Sequence, residues 1–223
     1  KYEDVSLSGR INNRRIKKEK IKMKIGEIEI YWLGHAAFKI KADKKVIYID
    51  PFQISGLLEK ADIIFLTHPH YDHCSLEDLQ KIVKDGTKII MHADCQSKVA
   101  RLQNKIGMVL AKIGDKFRVD SLEVSTVAAY NTKEERQKFH AKHQEWLGYI
   151  LRVNGKAIYH TGDTDMIPEM ERIGKTDIVL LPVSGTYVMT AEEAAEAAKK
   201  IKPELAIPMH YGSIAGNEAD ADK

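Results

Sequence analysis

The stretch that decides the fold reads Ile63-Ile64-Phe65-Leu66-Thr67-His68-Pro69-His70-Tyr71-Asp72-His73. Its first four residues form a short, continuous apolar run, which predicts a strand that is buried on both faces. Polar and imidazole side chains follow at once, so they lie at the end of that strand. Ser75 then predicts a helix N-cap, with the helix continuing to about Val83. Strand, polar turn and helix in this order are typical of an α/β protein.

Four potential metal ligands stand within six residues of this stretch, namely His68, His70, Asp72 and His73. Alternate positions of an extended segment share a face, so His68 and His70 can bind one ion. Asp72 and His73 lie where the chain turns toward the helix, and they can face a neighbouring ion. Imidazole nitrogen with carboxylate oxygen is the ligand set of Zn²⁺, with Mn²⁺ or Fe²⁺ as alternatives. The segment therefore predicts a metal site, with zinc as the expected cofactor.

Outward from this stretch, β-type runs alternate with helical segments in both halves of the chain, and no linker rich in Pro, Gly or Ser divides them. We expect strands at residues 27–33, 36–41, 46–49, 63–66, 88–91, 116–119, 122–129, 147–153, 156–159, 178–182 and 205–208, with a tight turn at Asn154-Gly155. We expect further helices at residues 94–104, 168–173 and 191–201, the last capped by Thr190. Two packed sheets with helices outside, a four-layer αββα sandwich of the α/β class, fit this count.

The composition is that of an ordinary globular protein, with 43% apolar and 30% charged residues in 223. No apolar run approaches the roughly 20 residues that span a bilayer, and we expect no secretory signal. The two cysteines, Cys74 and Cys95, have no spacing typical of a disulfide scaffold, so we expect free thiols and a cytoplasmic protein. Cys74 follows His73 directly, which leaves an accessory metal or redox role open.

Residues 10–24 are strongly basic, with eight lysine and arginine residues against Glu19 alone, in a chain of net charge +3. Such a run can contact phosphates, but it has no interleaved aromatic residues, so binding to nucleic acid is not the expected role. We interpret residues 1–24 as a solvated extension and residues 25–223 as one globular domain.

The segment from His68 to His73 resembles the H-x-H-x-D-H signature of the metallo-β-lactamase superfamily, and the resemblance extends over residues 28–212. Within that superfamily, four flanking pieces resemble the small metal-dependent hydrolases related to ascorbate-6-phosphate lactonase and N-acyl-phosphatidylethanolamine phospholipase D. These pieces are Trp32-Leu33-Gly34-His35-Ala36, Ile49-Asp50-Pro51-Phe52, Thr161-Gly162-Asp163-Thr164 and Ile207-Pro208-Met209-His210-Tyr211-Gly212. The resemblance implies the αββα fold and two metal ions.

The resemblance also implies roles for individual residues. Asp50 supports the site from behind, Asp163 touches both ions, and His210 binds the second ion. Asp72 and His35 are the candidate catalytic residues. His35 lies at a tight bend, where it can hydrogen-bond a substrate or a ligand, or orient the loop. We expect His160 to be structural and His92 to lie at the surface or behind the ligands.

One family ligand of the first ion has no direct counterpart, because no histidine stands at Ala128-Ala129-Tyr130-Asn131. His140 or His143 can reach the site from residues 132–145, and Asn131 can offer a weak oxygen ligand. We favour His140, while an incomplete ligand set stays open.

By resemblance the function is hydrolysis, in which a metal-bound hydroxide attacks an ester, lactone, amide or phosphodiester. The branch favours a small, anionic substrate. A nuclease that uses the basic run is an alternative, as is a non-catalytic scaffold that binds an anion. The diiron oxidoreductases of the superfamily are disfavoured because position 70 is histidine. Specificity is expected in residues 53–58, 132–145 and 185–189.

Overall fold

The computed structural model describes residues 22–56 and 58–222 of the chain. Most of the basic run therefore lies outside the described residues. Its last two lysines, Lys22 and Lys24, fall in the first strand, which begins before the domain boundary expected at residue 25. Lys22 forms an ion pair with Glu29 of the neighbouring strand at 3.0 Å.

Two mixed sheets form the body of the described chain. The seven strands of the first sheet lie side by side in chain order: β1 (Lys22–Ile25), β2 (Ile28–Gly34), β3 (Ala37–Ala42), β4 (Lys45–Ile49), β5 (Ile63–Leu66), β6 (Lys88–Met91) and β7 (Gly107–Leu110). The second sheet runs from β8 to β13 in chain order: β8 (Lys116–Val119), β9 (Leu122–Ala128), β10 (Leu147–Val153), β11 (Lys156–His160), β12 (Ile178–Pro182) and β13 (Leu205–Met209). In each sheet four antiparallel strands are followed by parallel ones.

Helices cover the outer faces of both sheets and connect the strands. They are α1 (Leu76–Ile82), α2 (Gln96–Val99), α3 (Glu134–Gln137), α4 (Ala191–Ile201) and α5 (Glu218–Ala221), with short 3-10 helices at Ala93–Cys95, Lys142–Gln144 and Pro168–Arg172. The expected caps are confirmed, because the side chains of Ser75 and Thr190 accept hydrogen bonds from the first turns of α1 and α4. None of the described helices is long and apolar enough to cross a membrane.

The alternation of β5 shows how the layers are built. Ile63 and Phe65 point into the core between the two sheets, while Ile64 and Leu66 pack with Leu79 of α1 on the outer face. All four strand residues are fully buried, as the continuous apolar run predicts. On the other side, α4 and the 3-10 helix Pro168–Arg172 cover the second sheet. The four-layer αββα sandwich is confirmed.

The prediction of one helix over residues 94–104 is wrong. The chain forms only the short 3-10 helix and α2, and then enters β7, a strand that the pattern did not predict. β7 pairs with β6 in parallel, so the chain has to cross back to the start of β6 between them. This crossover ends the helix early. The remaining expected elements match within one or two residues at their ends.

Candidate metal centre

The functional side chains lie where parallel strands end. Asp50 follows β4, the motif from His68 to His73 follows β5, Asp163 follows β11, and His210 follows β13. The carboxyl ends of parallel strands open on one edge of a sheet, where ligand sites of α/β proteins usually form. The edges of both sheets therefore contribute to a single cluster of imidazoles and carboxylates.

Asp50 fixes the orientation of the motif from behind. It is fully buried, and its carboxylate accepts hydrogen bonds from the backbone N–H and the hydroxyl of Thr67, at 2.9 and 2.6 Å. The same carboxylate lies 2.8 Å from Nδ1 of His73, so this nitrogen carries the proton and donates. Because the Thr67 hydroxyl gives its only proton to Asp50, it accepts from Nδ1 of His68 at 2.9 Å. Nε2 of both histidines therefore faces the cluster.

The first group of potential ligands consists of His68, His70 and His140, whose ring nitrogens lie within 4.8 Å of one another. Nε2 of His68 is 3.0 Å from Nδ1 of His70. His140 is buried, although it lies on a segment outside both sheets. Asn131 lies behind its ring, with Nδ2 3.2 Å from Nδ1 of His140, and its backbone N–H donates to the His140 carbonyl at 2.7 Å.

The second group consists of His35, Asp72, His73 and His210. Asp72 Oδ2 is 3.6 Å from Nε2 of His73 and 2.9 Å from Nε2 of His35. His210 is held by Ser184, whose hydroxyl lies 3.0 Å from Nδ1, and its backbone N–H donates to the carbonyl of His35 at 2.9 Å. His35 and His210 both have left-handed backbone, with φ of 53° and 60°, so both strand ends turn sharply at the cluster.

Asp163 lies between the two groups. Its Oδ2 is 2.9 Å from Nε2 of His210 and 3.2 Å from Nε2 of His73. The same oxygen is 3.3 Å from Nε2 of His140. Gly162 allows the turn that places this carboxylate. Its φ is +67°, and a Cβ there would meet the carbonyl oxygen of Leu147 at 2.7 Å.

The donor set fits a cation. Nε2 of His73, Nε2 of His140 and Oδ1 of Asp163 are buried and have no hydrogen-bond partner within the described ranges. Burying such polar atoms without a partner is costly, and a cation bound by the carboxylate and the deprotonated imidazole nitrogens would satisfy them. Burial acts to lower the pKa of His73, but Asp163, Asp72 and Asp50 outweigh it and raise that pKa well above its usual value. The cluster therefore favours positive charge where these carboxylates meet.

The remaining expected residues take other places. His160 is fully buried and donates from Nε2 to the Ala36 carbonyl at 2.9 Å, as a structural residue would. His92 is partly exposed and caps the 3-10 helix Ala93–Cys95. His143 is exposed and outside the cluster. Cys74 and Cys95 are buried free cysteines in the core beneath α1.

Trp146 is a neighbour of the site that the sequence reasoning missed. Its ring stacks on His68 with centroids 4.8 Å apart, and it meets His70 edge-on at 4.8 Å and His140 at 5.7 Å. Its indole N–H donates to Asp94 at 3.0 Å. Trp146 thus contacts every member of the first group. The only signal in the sequence is its position just before β10.

Comparison with known proteins identifies the family of this chain. The sequence model described as the beta-lactamase superfamily domain matches residues 29–210. The UPF0173 metal-dependent hydrolase of Pyrococcus furiosus is 32% identical over 209 residues, which cover 88% of this chain and 90% of that protein.

Two solved structures extend the comparison. A protein assigned as a metal-dependent hydrolase from Parabacteroides distasonis is 34% identical, with a TM-score of 0.78, over 87% of this chain and 89% of that one. A metallo hydrolase from Ignicoccus hospitalis is 28% identical, with a TM-score of 0.67, over 83% of each chain. The resemblance to the superfamily is confirmed. The chain belongs to the beta-lactamase superfamily and, within it, to the UPF0173 metal-dependent hydrolases.

Proposed function

We propose that this metal-dependent hydrolase binds two zinc ions and cleaves an ester, lactone or phosphodiester bond in a small, anionic substrate. The observation that carries the proposal is the position of Asp163 between the two groups. Its Oδ2 lies within 4.0 Å of Nε2 of His68 and His140 in the first group, and of His73 and His210 in the second. A shared carboxylate of this kind suits ions about 3.5–4 Å apart.

The two groups supply one ligand set each. His68, His70 and His140 would hold the first ion. Asp72, His73 and His210 would hold the second, with Asp163 shared. Neutral imidazoles with one or two carboxylates suit zinc, and manganese or iron are the alternatives. When bound, two such ions would act as Lewis acids. They would also lower the pKa of bound water toward neutral pH.

Asp72 is placed to move a proton. Of the carboxylates of Asp50, Asp72 and Asp163, it is the most exposed, at 7% against 0% and 3%. Asp72 is therefore the one of the three with the most contact with solvent. His35 is neutral, because burial lowers its pKa to about 4. With its proton on Nε2, His35 donates to Oδ2 of Asp72 and holds that carboxylate in place.

The preference for an anion follows from the charge of the loaded site. The three carboxylates of Asp50, Asp72 and Asp163 leave one positive charge on a site with two divalent ions, as long as the water bound there is not ionised. Tyr71 of the ligand motif is 60% exposed and meets Phe52 edge-on with ring centroids 5.8 Å apart.

The test is metal analysis followed by a substrate panel. Protein purified without chelator is expected to hold two zinc ions per chain, and zinc-loaded protein to hydrolyse at least one chromogenic phosphodiester or lactone. β-Lactams and oligonucleotides belong in the same panel. One ion per chain would contradict the two-ion site. Turnover of oligonucleotides alone would support a nuclease, and protein without metal or turnover would support a scaffold.

A further inference from the structure

His140 reaches the first group from a segment with little structure of its own. Residues 132–145 contain only α3, which is four residues long, and a three-residue 3-10 helix. Helices this short are unstable on their own. The position of His140 must therefore be set by contacts between this segment, called here the His140 loop, and the rest of the protein.

The strongest of these contacts is made by Arg136, at the end of α3. Its side chain is only 4% exposed, although a guanidinium is a charged group. Its guanidinium donates to Glu193 at 2.9 and 3.1 Å and to the Val188 carbonyl at 2.5 Å. A second carboxylate, Asp165, lies 3.0 Å from Nη2. Because a buried charge is tolerated only when it is paired, these two carboxylates hold Arg136 firmly.

The two carboxylates belong to elements that do not depend on the His140 loop. Glu193 is part of the capping box at the start of α4, the longest described helix. Asp165 stands two residues after Asp163, and its Oδ2 accepts the backbone N–H groups of Thr132 at 2.8 Å and Lys133 at 3.0 Å. The beginning of the loop is thus attached directly to the segment that carries Asp163.

We propose that Arg136 is a positioning residue for the first metal ion, because its guanidinium holds the His140 loop against α4 and the Asp163 segment. The inference rests on the two-ion site proposed above. Arg136 touches neither group, so it acts through the placement of His140. Ordering of the loop and binding of the metal share one free energy. Loosening the loop therefore lowers the affinity for the first ion. No residue of the second group lies on this loop, so the affinity for the second ion should stay nearly unchanged.

The test is zinc titration against a chromophoric chelator, with two resolved binding steps. Arg136→Met removes the charge and keeps most of the length. We expect it to lower the affinity for the first ion by about tenfold, which is typical of losing a residue that supports a ligand. The affinity for the second ion should fall by less than about twofold. Arg136→Lys keeps the charge and should recover part of the loss. Hydrogen exchange of residues 132–145 in zinc-free protein should be faster in Arg136→Met.

A double variant separates positioning from a general loss of stability. In the His140→Ala background, Arg136→Met should cause no further change in zinc affinity. Arg118→Met is the matched control, since Arg118 forms an exposed ion pair with Glu123 at 2.7 Å, on the hairpin of β8 and β9. If Arg136→Met does not fold, Glu193→Gln removes one of the two carboxylates paired with Arg136. This variant should lower the affinity for the first ion by about threefold, less than the loss of a whole supporting side chain.

Two results would overturn the inference. One is wild-type affinity for both ions in folded Arg136→Met, or in Glu193→Gln if the first variant does not fold. The other is an additive loss in the double variant. If His140→Ala itself leaves both zinc affinities unchanged, the proposed ligand set is at fault and the proposal for Arg136 fails with it.

Discussion

The first and second groups differ in what holds their outermost ligand. In the second group, His210 directly follows β13, and the pairing of β13 with β12 sets its place. In the first group, His140 lies on a loop, where ion pairs and hydrogen bonds replace strand pairing. The motif that follows β5 contributes two residues to each group, so this part is common to both. Strand pairing therefore places the outermost candidate ligand of one ion, and a buried charge cluster lies beside the loop that carries the other.

The largest expected effect comes from removing what the two groups share. Asp163→Ala should lower zinc affinity at both sites by at least about 100-fold, beyond what supporting residues usually cause. The core beneath the site is closed by two sheets, so we expect the fold to remain. Metal content by mass spectrometry and circular dichroism check this. Loss of only one ion would show that Asp163 serves one group.

Removing one outer ligand should separate the groups. His140→Ala should lower the affinity for the first ion by at least about tenfold and leave the affinity for the second nearly unchanged. His210→Ala should do the reverse. His143→Ala is the control, since it shares the loop but is exposed. Zinc titrations of the three variants measure the effect. Wild-type affinities in His140→Ala would leave Asn131 or water as the remaining partner of the first ion.

Trp146 offers a spectroscopic way to sharpen the comparison, because it contacts the first group alone. The chain has two tryptophans, and Trp32 stacks instead on Tyr211 at 4.5 Å. We expect zinc binding to change the fluorescence of Trp146. The change that accompanies binding of the first ion should persist in His210→Ala and disappear in Trp146→Phe. A change on binding of the first ion that survives in Trp146→Phe would contradict this assignment.

The charge cluster around Arg136 should make stability depend on pH. Burial acts to raise the pKa of Glu193, but hydrogen bonds from Arg136, Lys133 and Thr190 outweigh it and lower the pKa to about 2. Because the folded pKa is below the ordinary value of 4.5, Glu193 stabilises the fold above about pH 4.5. This contribution is lost as the pH falls toward 2.

Urea unfolding at pH 6 and pH 3 measures that loss. The drop in unfolding free energy should be smaller in Glu193→Gln than in wild type, since glutamine does not titrate. The exposed variant Glu123→Gln should show the wild-type drop. Equal drops in Glu193→Gln and wild type would show that Glu193 contributes nothing to acid sensitivity.

The smallest expected effect is that of deleting residues 1–20, which leaves β1 and both groups in place. We expect zinc content to be unchanged and turnover to stay within about threefold, because truncation matters mainly through the contacts it removes. Turnover of a substrate found in the panel checks this. A larger loss would give the basic run a role in binding or catalysis.

Most of the sheet framework could be predicted from local patterns. The continuous apolar run of β5 and the caps of α1 and α4 agree with the structure because each depends on neighbours in the chain. β7 and the early end of α2 could not be predicted, because an edge strand is selected by its partner strand. The helix expected at residues 94–104 failed for the same reason.

The sequence by itself determined the candidate ligands that follow β5. The motif from His68 to His73 supplies imidazoles and a carboxylate at a strand end, because strand periodicity and ligand spacing are both local. Only the tertiary structure decided which distant residues lie together with this motif. His140 rather than the exposed His143 turns inward, and Arg136 reaches Glu193 across 57 positions of sequence. The physical reason is that ion pairs and ring contacts depend on distance in space, which no local pattern records.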